Sequence, residues 1–246
     1  DGSIYIAGTF CQNYNLLCTI SVGDQTHQSN GGADVMIAKL SAQGDVLWSK
    51  SFGSGSSDTD MWNSWYSLNQ KGIVATPDGG ILMSGYGCDG WNSNCMMTIA
   101  PGYSVANHNP FIVKYDQNGT VERLSTMSGA AADYLQVMVE VDDHRVLVAG
   151  NHYSSTLVAG DFSVFNSGGS DAWYAVFNHT SWEYEGLWDS KTDGNEVFHS
   201  AVVPPEGHFI LGGTQCWGNE GSDCPVMFEG ADGMQMTRER NSDQAE

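Results

Sequence analysis

Apolar and polar positions along this chain come in short alternating runs, rich in β-branched and aromatic residues and broken by Gly, Asp, Asn and Pro. That is the pattern of antiparallel strands. One stretch shows it best, with strands predicted over residues 67–76, 80–85, 110–115 and 120–127. The first two are joined by Pro77-Asp78-Gly79 and the last two by Asn118-Gly119, both tight-turn sequences. The same grammar returns at 4–9, at 34–40 with 44–53, and at 171–177 with 182–188. No segment keeps a 3.6-residue apolar period over ten residues, so the predicted class is all-β.

The chain also repeats itself. Tyr5-Ile6-Ala7-Gly8-Thr9 recurs as Leu82-Met83-Ser84-Gly85-Tyr86, Leu147-Val148-Ala149-Gly150-Asn151 and Ile210-Leu211-Gly212-Gly213-Thr214, with glycines 77, 65 and 63 residues apart. Four-strand units repeated in this way are the plan of a β-propeller, whose radial packing buries both faces of each sheet. A β-sandwich, the rival, has no reason to repeat a whole four-strand unit. The expectation is one propeller domain, or a fragment of one, over 1–246, with units near 1–66, 67–133, 134–196 and 197–246. With strands lettered A to D from axis to rim, the chain starts on a B strand and stops where an A strand is due. A window cut from a larger ring is expected.

Ala33-Asp34, Ile37-Ala38-Lys39-Leu40, Gly44-Asp45-Val46-Leu47-Trp48, Phe52-Gly53, Asp58, Thr76-Pro77-Asp78-Gly79-Gly80 and Ser84-Gly85-Tyr86 together resemble the SBBP-type propeller repeat of extracellular proteins. One unit matches well; in the others Asn109 replaces Asp34 and Val176 replaces Lys39. The resemblance implies a propeller fold, an extracellular setting and a structural or adhesive role, and it carries over no catalytic residue.

Charge narrows the partners. With 29 acidic against 9 basic residues the net charge is -20, which excludes the clustered Lys and Arg that phosphate backbones require and disfavours anionic membranes. No apolar run approaches the roughly 20 residues of a membrane span. The chain begins at Asp1 without a basic-then-apolar leader, so any signal peptide is expected outside it.

Six cysteines fall in three pairs, Cys11 with Cys18, Cys88 with Cys95 and Cys216 with Cys224, and each first member follows its repeat glycine by three residues. Equivalence across repeats predicts three local disulfides; zinc, the alternative, favours C-x(2–4)-C pairs with more ligands in register. Disulfides imply an oxidising compartment, and the sequons at Asn118 and Asn178 fit secretion or a cell-surface location. Both sequons are predicted in C–D turns, on the face opposite the stapled B–C loops at 10–33, 87–108 and 152–170.

In or beside the stapled loops stand Tyr14, Trp91 and Trp217, with Asn13, Asp89, Asn92 and Asn219 as neighbours. Flat rings flanked by amides and carboxylates suit sugar recognition, although each ring is equally able to pack over its own disulfide. The D–A connections carry Asp58, Asp60, Asp133, Asp189, Asp193 and Asp243, oxygen donors able to hold Ca2+ in principle, though solvated turn aspartates look the same. Catalytic signals are poor: seven histidines without H-E-x-x-H, no G-x-S-x-G, no P-loop, and Asp142-Asp143 in a predicted turn. Trp48, Trp173, Trp182 and Trp188 are expected in an interblade core. The sequence therefore ranks a non-catalytic structural or adhesive module first, with an extracellular protein, a glycan or further copies as partners. A lectin-like propeller comes second and a propeller glycosidase or lyase third, with no cofactor required beyond possible Ca2+.

Overall fold

The computed structural model describes residues 2–11, 17–55, 72–87, 95–204 and 208–214, and the backbone of two further strands at 226–229 and 235–238. Every described element is a strand. The chain divides into two compact units, Asp1–Thr126 and Met127–Glu246.

Unit 1 contains β1 (Ile4–Phe10), β2 (Thr19–Val22), β3 (Gln25–Gln28), β4 (Asp34–Leu40), β5 (Val46–Phe52), β6 (Ile73–Ala75), β7 (Ile81–Tyr86), β8 (Met96–Ala100), β9 (Tyr103–Ala106), β10 (Pro110–Tyr115) and β11 (Val121–Thr126). Its first sheet has the order β1-β4-β5 and its second β6-β7-β10-β11, all antiparallel. The inward faces of the two sheets share one core of Val35, Ile37, Trp48 and Phe52 with Ile81, Met83, Phe111, Val113 and Tyr115. Their turn ends are pinned together by polar contacts. Trp48 Nε1 donates to the Gln117 carbonyl at 3.0 Å, the Tyr5 hydroxyl donates to the Gly79 carbonyl at 2.6 Å, and the buried Lys39 ammonium lies 5.2 Å over the Tyr5 ring.

Unit 2 contains β12 (Asp133–Glu140), β13 (Arg145–His152), β14 (Thr156–Ala159), β15 (Phe162–Phe165), β16 (Asp171–Asn178), β17 (Glu183–Asp189), β18 (Val197–Val202), β19 (Ile210–Thr214), β20 (Val226–Glu229) and β21 (Gln235–Arg238). Its four-stranded sheet β12-β13-β16-β17 packs Val137, Leu147, Ala149, Ala172 and Tyr174 against Phe198 and Ala201 of the pair β18-β19. Trp173 is wholly buried, as its strand pattern predicts. Trp182 corrects the expectation of a strand position: it occupies the turn before β17 with φ +68° and lays its ring on Phe177. Trp188 is half-buried and stacks on Tyr174 at 4.9 Å.

At two of its four positions the repeat glycine has a steric cause. Opposite Gly150 the first strand carries a bulge between Leu135 and Val137, which presses the Tyr134 carbonyl into the space a Cβ at 150 would fill. Opposite Gly213 a bulge between Phe198 and Ser200 does the same with the Val197 carbonyl.

Two readings need correction. The long connections between second and third strands are not plain loops; each holds a small hairpin, β2-β3, β8-β9 and β14-β15, turned at Gly23, Gly102 and Gly160 with positive φ. Among the described residues, the last two strands, β20 and β21, pair with each other and do not extend the β18-β19 sheet.

Candidate functional site

In the sheet β12-β13-β16-β17 the third strand runs back beside the second and the fourth beside the third, so the residues that end β13, begin β16 and end β17 meet at one corner. In unit 2 these are His152, Asp171 and Asp189, all buried, with one ligand atom from each lying within 4.8 Å of the others. Register makes the meeting obligatory: His152 pairs with Asp171, and Trp173, two residues on, pairs with Asp189.

His152 and Asp171 are held from behind. His152 is fully buried, and its Nδ1 donates to the Ser154 carbonyl at 3.0 Å, which fixes the tautomer with the Nε2 lone pair pointing into the corner. That Nε2 has no hydrogen-bond partner and lies 3.9 Å from Asp189 Oδ2. Asp171 accepts the Ser167 amide on Oδ2 at 2.7 Å, while its buried Oδ1 has no partner. A returning segment closes the corner. Glu196 N donates to the Ser170 carbonyl, Gly169 N to the Gly194 carbonyl, and the Ser190 hydroxyl is shared between the Ala172 amide and Glu196 Oε2. Gly168 and Gly169 lie so close to Asp193, Gly194 and Asn195 that neither has room for a side chain.

Electrostatics follow from this enclosure. Burial, opposed by the Ser167 amide and aided by the charges of Asp189, Glu196 and Asp193, pushes the Asp171 carboxyl up to about 7. Burial lowers His152 to about 4, so its imidazole is neutral at physiological pH. One imidazole nitrogen and two carboxylates, oriented by backbone groups, form a ligand set for a divalent cation.

The sequence-derived candidates are spread more widely. Asp133 is buried on β12 as the register partner of His152 and is already satisfied: it accepts from Tyr153 N, Ser154 N and, at 2.7 Å, the Ser154 hydroxyl, pinning the loop after β13. Asp193 is exposed on the closing segment. Cys11 and Cys18 are disulfide-bonded, and Cys95 is in a disulfide too. Asn118 is exposed in its turn, whereas the Asn178 amide donates to Glu185 at 2.9 Å. Asn13, Tyr14, Asp58, Asp60, Cys88, Asp89, Trp91, Asn92, Cys216, Trp217, Asn219, Cys224 and Asp243 lie outside the described residues.

Sequence reasoning weighed Asp189 but missed His152 and Asp171, whose spacing matches no short motif. Among known proteins, the chain matches no family model and no curated protein.

Proposed function

We propose that this chain is a non-catalytic module of an extracellular β-propeller, with a structural or adhesive role exerted through its inserted hairpins. The propeller reading is supported by the second and third sheets, which repeat one antiparallel order with the same insertion, and by face-to-face packing of successive sheets inside each unit. The extracellular reading is supported by the Cys11–Cys18 disulfide at the foot of the first insertion.

The observation that carries an adhesive role is where apolar surface remains exposed. Leu17, Met96, Tyr153, Val158, Phe162 and Phe165 are large exposed hydrophobics on or beside the inserted hairpins, and Phe165 is 64% exposed. Exposed Ile4, Ile6, Leu47, Val202 and Ile210 lie off the hairpins, but four of the six, Tyr153, Val158, Phe162 and Phe165, cluster on or beside the single hairpin β14-β15, and such a cluster is the mark of a contact surface. The partner is a protein surface, which the net charge of -20 favours being basic.

The test is retention of beads coated with the protein on the surface of the producing cells. Phe162→Ser with Phe165→Ser is expected to reduce retention at least tenfold while leaving thermal unfolding unchanged. Glycan-array binding abolished by Trp91→Ala and Trp217→Ala establishes the lectin reading instead, and turnover of a polysaccharide by the purified protein refutes the non-catalytic one.

A further inference from the structure

The corner at His152 occupies a telling position in the repeat. In the first unit the residue at that register is Phe10, paired with Asp34, and the next residue is Cys11, which begins the disulfide-bonded loop. In the second it is Gly87, whose amide meets the Asn109 carbonyl, followed by Cys88. In the fourth, Cys216 stands three residues beyond Gly213. Only the third unit has no cysteine pair: the position three beyond Gly150 is Tyr153. The unit without a covalent staple is the one with a histidine and two aspartates converging at the foot of its insertion.

We propose that His152, Asp171 and Asp189 bind a divalent transition ion of the Zn2+ class, which does for the third repeat what the Cys11–Cys18 disulfide does for the first. Two observations point to a ligand independently of the carboxylates being close. The wholly buried His152 presents a lone pair at Nε2 with no donor to receive, and the wholly buried Asp171 keeps Oδ1 without one. Buried polar atoms left in this state cost roughly 1–3 kcal/mol each unless a partner arrives. A dication supplies that partner and offsets two carboxylate charges in one step.

The donor set selects the ion. A neutral imidazole nitrogen is a poor ligand for Ca2+ and Mg2+, which take oxygen, and a good one for Zn2+. No thiolate is present to favour softer ions. A tetrahedral ion about 2.0–2.2 Å from each donor sets donor separations of roughly 3.4 Å, so donor atoms as far as 4.8 Å apart draw together by rotation of the side chains. Water completes the coordination. Because the ligands end β13, begin β16 and end β17, the ion ties three strands at the base of the β14-β15 hairpin.

The test uses the full chain, freed of metal by chelator and titrated calorimetrically with Zn2+, Mn2+ and Ca2+ separately. One equivalent of Zn2+ is expected, with Kd below about 10 µM. At a hundredfold excess over Kd it raises Tm by roughly 5–10 °C. His152→Gln and Asp171→Asn are each expected to weaken Zn2+ binding at least tenfold. Zinc that binds both variants as well as the parent sits elsewhere and overturns the proposal. So does no binding up to about 1 mM, or a preference for Ca2+. If either variant fails to fold, zinc-edge X-ray absorption of the parent decides: one imidazole with carboxylate oxygens supports the site, and several imidazoles or an all-water shell overturns it. None of these outcomes depends on the adhesive role.

Discussion

The corner around Asp34 in unit 1 and the corner around Asp171 in unit 2 are built from the same backbone. Both aspartates open the strand that follows an inserted hairpin, both accept an amide from the residue four positions earlier at 2.7 Å, and both keep a buried Oδ1 without a hydrogen bond. What differs is the company. Asp34 pairs with Phe10 and is closed over by Gly53, which has no space for a side chain against the carboxylate. Asp171 pairs with His152 and faces Asp189. One scaffold thus yields a dry corner where an isolated acid takes up a proton, and a second where a histidine and another acid make ion binding possible. Asn109 at the same register of the second sheet is a third solution, with no charge.

The largest effect expected on breaking this comparison is steric. Gly150→Ala drives a methyl into the Tyr134 carbonyl under the bulge of β12 and should cost roughly 3 kcal/mol in urea unfolding. Gly8→Ala meets nothing within 4 Å among the described residues and should fall within about 0.5 kcal/mol of the parent. An equally large loss at Gly8 means that a strand covers the open edge of β1, as it would in a larger closed ring.

Next come the staples. Replacing Cys11 and Cys18 together by Ser, which opens a bridge seven residues apart, should destabilise unit 1 by roughly 2–3 kcal/mol on loop entropy and leave unit 2 unaffected. Chelator should do the reverse. Hydrogen exchange followed separately in β1-β5 and β13-β17 reads both, and protection lost in β13-β17 of the double cysteine variant breaks the comparison.

The third effect depends on pH. Burial, against the opposing Asn30 amide, pushes Asp34 up to about 6 from an ordinary value of 3.8. The folded form therefore holds its proton more tightly, and the stability tied to that proton is complete below about 4 and is lost as pH rises through about 6. Asp34→Asn, which copies the residue at Asn109, should remove that slope and gain on the order of 2 kcal/mol at pH 7. Urea unfolding at pH 5 and pH 7 checks it; an unchanged slope means another group is responsible.

Strand content was legible because its signal is local. Pro77-Asp78-Gly79 and Asn118-Gly119 do turn β6 into β7 and β10 into β11, and the apolar runs at 34–40 and 171–177 fall on β4 and β16. The inserted hairpins were missed because their strands are only four or five residues long, too short to show alternation. Gly23-Asp24, Pro101-Gly102 and Gly160-Asp161 were their only mark. The ligand set was illegible for the opposite reason: its residues are spread from 152 to 189, and only strand register makes them neighbours. The absence of cysteines from the third repeat was the available hint.

The smallest effect concerns the turn ends, where the two four-stranded sheets again differ. In unit 1 the largely buried Lys114 ammonium bridges Asp78 and Glu122; in unit 2 the more exposed Arg145 bridges Asp142 and Glu185. Burial alone would raise Asp78, but hydrogen bonds from Lys114, Thr76 and the Gly80 amide overcome it and bring the carboxyl down to about 2. Its folded value lies below the unfolded one, so its stability is present above about 4 and lost as pH falls toward 2, opposite in sign to Asp34. Asp78 is half exposed and its pairing with Lys114 is screened, so Asp78→Asn should cost less than about 1 kcal/mol at pH 7. Asp142→Asn should cost less still, since both partners there face water. Acid unfolding of the two variants between pH 4 and pH 2 measures the difference: a flattened limb in Asp78→Asn alone supports it, and equal limbs show that burial of the lysine adds nothing to the surface pair.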